Sequence, residues 1–181
     1  MSALTRRGLL AGGIATFAAS RAWAFEEEAV PSAAALAKAV NPPRDASALL
    51  MKDETGTRVP LSQFAGELLV VNLWAPWCVP CRREMPSLAR LAEAMAGQPV
   101  RVLPLAFDWR GASGVRRFYK EIGVASLPIL IGDGQNLMAT LGLEHIPTTA
   151  VIDGTGRHIA TVAGEAEWDD AETRDWLLGL I

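Results

Sequence analysis

From Leu68 to Trp74 every position is apolar except Asn72, and Gly66 and Pro76 bound the run. An apolar stretch without alternation predicts a strand buried on both faces. From Pro80 to Met95 the spacing becomes helical, with Met85, Leu88, Leu91 and Met95 on one side and Gly97 and Pro99 ending it. Val100–Phe107 reads as a second strand, and Val115–Ile122 as a charged amphipathic helix closed by Gly123. A short strand over Pro128–Ile131 and a short helix over Asn136–Leu141 follow. Thr148–Asp153 and His158–Ala163 flank Gly154-Thr155-Gly156 as a hairpin. A last helix is expected over Trp168–Leu180, with Trp176, Leu177 and Leu180 on its core face. Ahead of these, Ala48–Lys52 and Arg58–Leu61 form a hairpin around Asp53-Glu54-Thr55-Gly56. The order predicts an α/β domain over residues 45–181: a central sheet flanked by helices on both faces.

The start of the chain reads differently. Residues 1–24 have the parts of an export signal: Arg6-Arg7, an apolar stretch from Gly8 to Ala19, and Ala22-Trp23-Ala24 before a cut at Phe25. The stretch is short for a membrane span, which needs about 20 apolar residues. Thr5-Arg6-Arg7-Gly8-Leu9-Leu10 resembles a twin-arginine signal; the alternative is an ordinary secretory signal. Cleavage is expected over retention as a membrane anchor, and either places the domain in a bacterial periplasm. Residues 25–44, rich in Ala and Pro, read as a linker or a clasp on the domain. A short helix is expected over Ser32–Val40, ended by Asn41-Pro42-Pro43.

Charge narrows the partners. The 181 residues carry a net −3, and without Arg6, Arg7 and Arg21 of the leader the remainder carries −6. A nucleic-acid partner, which calls for a basic face, is not expected.

The two cysteines form one Cys-x-x-Cys, Cys78-Val79-Pro80-Cys81. A tetrahedral zinc site wants four ligands, and the only histidines, His145 and His158, lie far downstream. No metal site is expected. A bridge over so short a loop adds little stability, so a redox pair is the stronger reading. The pair stands between a buried strand and a helix, where unpaired N–H groups and a partial positive charge favour a thiolate. Cys78 is then the nucleophile and Cys81, one turn on, the resolving thiol. Pro80 can open the helix because the first turn does not use its N–H.

The run from Val70 to Pro86, containing Trp74-Ala75-Pro76-Trp77-Cys78-Val79-Pro80-Cys81-Arg82-Arg83-Glu84, resembles the TlpA/ResA group of exported bacterial thioredoxin-like proteins. Ile146-Pro147-Thr148-Thr149 is similar to that group's cis-proline segment, and Val151-Ile152-Asp153 with Gly154 and Gly156 to its continuation. The resemblance implies a thioredoxin-like fold with an N-terminal hairpin and a helix–strand insertion around Gly111–Asp133. It implies a cis Pro147 packed on the cysteine pair, substrate backbone pairing beside Ile146, and Trp77 covering the Cys78 sulfur. Thioredoxin's buried acid would fall at Asn72, which cannot transfer protons as a carboxylate does. The group places an acid at Glu84, expected to tune the thiols or take the proton of Cys81; the plainer alternative is a solvated first-turn Glu.

Other polar residues are expected to be ordinary: Arg82, Arg83 and Arg90 solvated on the helix, Asp108-Trp109-Arg110 a loop with a packed Trp, His145 a turn residue, and His158 exposed on the hairpin. Redox chemistry by the Cys78–Cys81 disulfide needs no further cofactor. The resemblance implies a reductase of disulfides in exported proteins, in cytochrome c maturation or copper-site assembly of respiratory oxidase. A membrane thiol-transfer protein would donate its electrons. A disulfide-forming oxidant and a Cu(I) carrier are the alternatives.

Overall fold

The computed structural model describes residues 29–181; the leader 1–24 and the three glutamates after it lie outside this range. Among the described residues the chain builds one mixed eight-stranded sheet. Its centre is β4 (Leu68–Trp74), which pairs in parallel with β5 (Val100–Ala106) and antiparallel with β7 (Thr148–Ile152). Beyond β5 comes β6 (Leu130–Gly132), then the hairpin β2 (Met51–Lys52) and β3 (Arg58–Val59). Beyond β7 comes β8 (Arg157–Ala163), then β1 (Ala37–Asp45) at the edge.

Every residue of β4 is buried, as the unbroken apolar run predicts. Successive side chains of a strand point to opposite faces. Leu69, Val71 and Leu73 enter one core with Leu103, Leu105 and Leu137. Val70 and Trp74 enter the other, under α2 (Val79–Ala94). Asn72 shares that second face, so the one polar residue of the central strand points at α2. This helix buries Cys81, Glu84, Met85, Leu88 and Leu91, the stripe that its spacing predicts.

The inserted segment is α3 (Ala112–Ile122) followed by β6, and α4 (Gly134–Leu141) comes directly after it. Tyr119 of α3 stacks on Trp74 with ring centroids 5.7 Å apart, and Phe118 packs beside it at 5.2 Å. The insertion thus supports the end of β4 from which the cysteine loop springs.

Five details differ from expectation. The N-terminal helix is a single turn, α1 (Ala33–Leu36), because the chain then turns extended and pairs with β8. Strand β1 carries Pro42 and Pro43, which an outer edge tolerates since no ladder N–H is needed there. Residues 37–44, read as linker or clasp, are therefore part of the sheet. His158 is buried, with Nε2 2.9 Å from Thr161 Oγ1, because β8 turns His158, Ala160 and Val162 inward together. Burial holds its pKa below the ordinary histidine value. Trp109 is 89% exposed, not packed. The last helix, α5 (Ala171–Leu178), starts late, capped by Asp170, and leaves Trp168 wholly buried in the preceding loop.

Candidate active site

Strand β4 ends at Trp74, the chain turns with Cys78 N–H donating to the Ala75 carbonyl, and Cys78 becomes the N-cap of α2. Its Sγ accepts the Cys81 N–H at 3.3 Å. Such a backbone donor and the positive end of a sixteen-residue helix both favour negative charge on that sulfur. Pro80 sits in the first turn, where its missing N–H leaves no bond unmade. Cys78 and Cys81 are joined as a disulfide. Cys78 keeps 7% of its surface exposed and Cys81 none, so a partner's sulfur can reach only the first.

Glu84 lies one turn beyond Cys81 on the same buried stripe and is 2% exposed; it is not a solvated first-turn Glu. Three donors converge on its carboxylate. Asn72 Nδ2 donates to Oε1 at 2.8 Å, while the Ala166 N–H and Trp168 Nε1 donate to Oε2 at 3.2 and 3.3 Å. Asn72 also donates to Thr149 Oγ1 at 3.0 Å, tying β4 to β7. Burial pushes the Glu84 pKa up to about 7, and the three hydrogen bonds oppose that rise. A buried carboxyl titrating near neutrality, one turn from a thiol, is suited to moving a proton.

The loop 164–170 forms a strap over this carboxyl. Trp168 N–H donates to Ser87 Oγ at 3.3 Å, beside its ring's bond to Glu84. Arg83 pairs with Glu165, and Arg90 with Glu167 and Asp169. The strap in turn holds the N-terminal segment, since Glu167 N–H donates to the Pro31 carbonyl and the Ala33 N–H to that of Glu167. Arg82 donates to the Pro76 carbonyl at 3.1 Å, lies 4.5 Å above the Phe118 ring and approaches Glu121 at 3.6 Å. The three arginines are thus engaged in holding parts of the site together.

The Ile146–Pro147 bond is cis. Leu73 pairs with Thr148, so Ile146 and Pro147 stand at the sheet end where β4 runs into the cysteine loop. Trp77, 63% exposed, and Ile146 line one groove with His145. Among the described residues no group of three or more His, Cys, Asp or Glu is placed to hold a metal ion.

The model of the Redoxin family matches residues 20–177. The chain belongs to the Redoxin family. Within it the chain is similar to thiol–disulfide oxidoreductases of the ResA type. The thiol–disulfide oxidoreductase ResA of Bacillus anthracis is 27% identical over 129 residues, covering 71% of this chain and 73% of that one. ResA of Bacillus thuringiensis subsp. konkukian is 28% identical over the same length. Solved structures share the thioredoxin-like fold. A thioredoxin-family thiol:disulfide interchange protein of Chlorobium tepidum superposes with a TM-score of 0.60 at 22% identity, covering 76% of this chain and 99% of that one. StoA of Bacillus subtilis superposes at 0.56 and 21%, covering 71% and 92%. With its Cys-x-x-Cys in place, this redoxin is a thiol–disulfide oxidoreductase.

Trp168 and the strap were not among the site residues read from the sequence. Their contacts cross more than 80 positions of the chain, and a tryptophan beside a helix reads as core.

Proposed function

We propose that this redoxin is a reductase of disulfides in exported proteins, working in the bacterial periplasm. The observation that carries the assignment of roles is the inequality of the two sulfurs. Cys78 is reachable and caps the helix; Cys81 is buried one turn from Glu84. The reduced protein attacks with the Cys78 thiolate. One substrate sulfur leaves as a thiolate and takes up a proton, and a mixed disulfide forms on Cys78. Glu84, as a carboxylate, accepts the Cys81 proton, and the Cys81 thiolate attacks the Cys78 sulfur. The second substrate thiolate leaves, two electrons have passed to the substrate, and the enzyme carries the Cys78–Cys81 disulfide. Trp77, Ile146 and Pro147 hold the substrate segment beside Cys78, and no other cofactor takes part.

The reductive direction follows from the likeness to ResA and its group, as do substrates of the cytochrome c maturation or oxidase copper-site type. An outside compartment tends to oxidise thiols, so a membrane thiol-transfer protein must return the electrons. The leader over residues 1–24 supports export by a twin-arginine-like route. Equilibration of the Cys78–Cys81 pair against a thiol buffer tests the direction. A potential near thioredoxin's, about −270 mV, is expected; one near that of the oxidant DsbA, about −120 mV, would overturn the reductase reading.

A further inference from the structure

Every group that faces the Glu84 carboxyl is a donor. Ala166 N–H and Trp168 Nε1 face Oε2 at 3.2 and 3.3 Å, and Asn72 Nδ2 faces Oε1 at 2.8 Å. Such a cage suits the ionised carboxyl, which only accepts. The protonated carboxyl carries an O–H and needs an acceptor. A backbone N–H and an indole N–H cannot become one. Asn72 can, because its amide ends in a donor and an acceptor of nearly the same shape. Its side chain is wholly buried, and its Oδ1 meets no donor among the described residues. Thr149 completes the pattern. Its Oγ1 lies 3.0 Å from Asn72 Nδ2, and a hydroxyl accepts or donates as its neighbour requires.

We infer that Asn72 is a positioning residue that follows the proton on Glu84. Its Nδ2 holds the carboxylate, and a half-turn of the amide brings Oδ1 to the same place to accept from the protonated acid. The inference rests on the reading of Glu84 as acceptor of the Cys81 proton. In the turned state Oδ1 accepts from Glu84 Oε1–H and from Thr149 Oγ1–H, so both neighbours are matched in either orientation. One end of the amide goes without a partner in each, so the turn exchanges one such end for the other. When Cys81 gives its proton to Glu84 and attacks Cys78, the amide turns to Oδ1. When Cys81 next leaves as a thiolate and takes the proton back, the amide returns to Nδ2. An aspartate in this place would set a second acid 2.8 Å from Glu84 Oε1, and the two would compete for one proton. The other titratable groups around Glu84 are Cys81, one turn back on α2, and the acids of the strap. Glu165 is paired with Arg83, and Glu167 and Asp169 with Arg90. Strands β4 and β7 bring no charge to it.

The test follows the amide by NMR in the oxidised, isotope-labelled protein. The Glu84 carboxyl carbon reports its proton, and the nuclear Overhauser effect from the Asn72 amide protons to the Thr149 methyl reports the orientation. That effect is expected to be strong while Glu84 is ionised and to vanish with the same midpoint as the carboxyl carbon titrates. In Glu84→Gln it should no longer depend on pH. An effect that persists in the wild type while Glu84 titrates would overturn the inference, as would one that still switches in Glu84→Gln. Kinetics supply the second readout. Single-turnover reduction of a peptide disulfide, followed by stopped flow across pH, separates attack by Cys78 from resolution by Cys81. Asn72→Leu is expected to slow resolution at pH 7 by about tenfold, the scale of one hydrogen bond to a charged group. Resolution with the wild-type rate and pH profile would overturn the role. If Glu84→Gln slows resolution but the amide does not turn, only the inference about Asn72 fails. If Glu84→Gln resolves as fast as the wild type, the reading of Glu84 as proton acceptor fails with it.

Discussion

At the scale of single residues the site turns on Glu84. Its carboxyl, ordinarily near 4.5, is raised by burial to about 7. Folding thus favours the protonated form. That contribution to stability is complete below about pH 4.5 and is lost as the pH rises through about 7. At about 1.4 kcal/mol per unit, the loss reaches about 3 kcal/mol. Glu84→Gln removes the titration. Urea unfolding of both oxidised proteins at pH 5 and pH 8 should show the variant gaining on the wild type by up to about that amount. A gap independent of pH would contradict the raised pKa. Trp168→Phe removes one donor that favours the ionised carboxyl. The pH profile of mixed-disulfide resolution should then move upward, while the initial attack by Cys78 keeps its profile. The sequence placed Glu84 on the same helix side as Cys81 but left a solvated first-turn Glu open, and its burial shows only once the strap covers it. Asn72 was legible as the one polar gap in β4. Their bond at 2.8 Å was not, since it needs the helix laid over the strand.

At the scale of elements, the strap encloses Glu84 and the inserted helix supports the end of β4. The ion pairs of Arg83 and Arg90 join half-exposed arginines to partly covered acids. Exposed pairs contribute about 0–1 kcal/mol each. Trp168 is wholly buried, and truncating such a residue costs about 3–5 kcal/mol. Trp168→Ala should therefore lower stability more than Arg83→Ala and Arg90→Ala combined; thermal melts of the three proteins measure it. In the insertion, a Cβ at Gly114 would lie 1.8 Å from Asp108 Oδ2 and 2.8 Å from Asp108 Cγ. Gly114→Ala must move a fully covered aspartate, at a cost of about 1–3 kcal/mol. A melting temperature equal to the wild type would show that the loop yields freely. The strands were read well where period and composition agreed, as in β4 and β5. The errors fell where distant partners decide. His158 reads as a hairpin polar residue until β8 is set with its inward positions. Residues 37–44 read as a proline-rich connection until β8 supplies them with a partner.

At the scale of the molecule, the sheet puts the reactive sulfur and the cis-proline segment at one end. The acidic strap and the N-terminal segment close the side behind α2. The order of the elements made this architecture readable, because a buried strand followed by Cys-x-x-Cys at a helix start has few other meanings. The same arrangement assigns unequal work to the two thiols, and mixed-disulfide trapping tests that most directly. Reduced Cys81→Ser and Cys78→Ser are each offered a disulfide-linked peptide, and covalent adducts are read by mass. Cys81→Ser should accumulate the peptide on Cys78, while Cys78→Ser, with Cys81 buried, should remain largely free. Faster adduct formation in Cys78→Ser would reverse the roles and contradict the account.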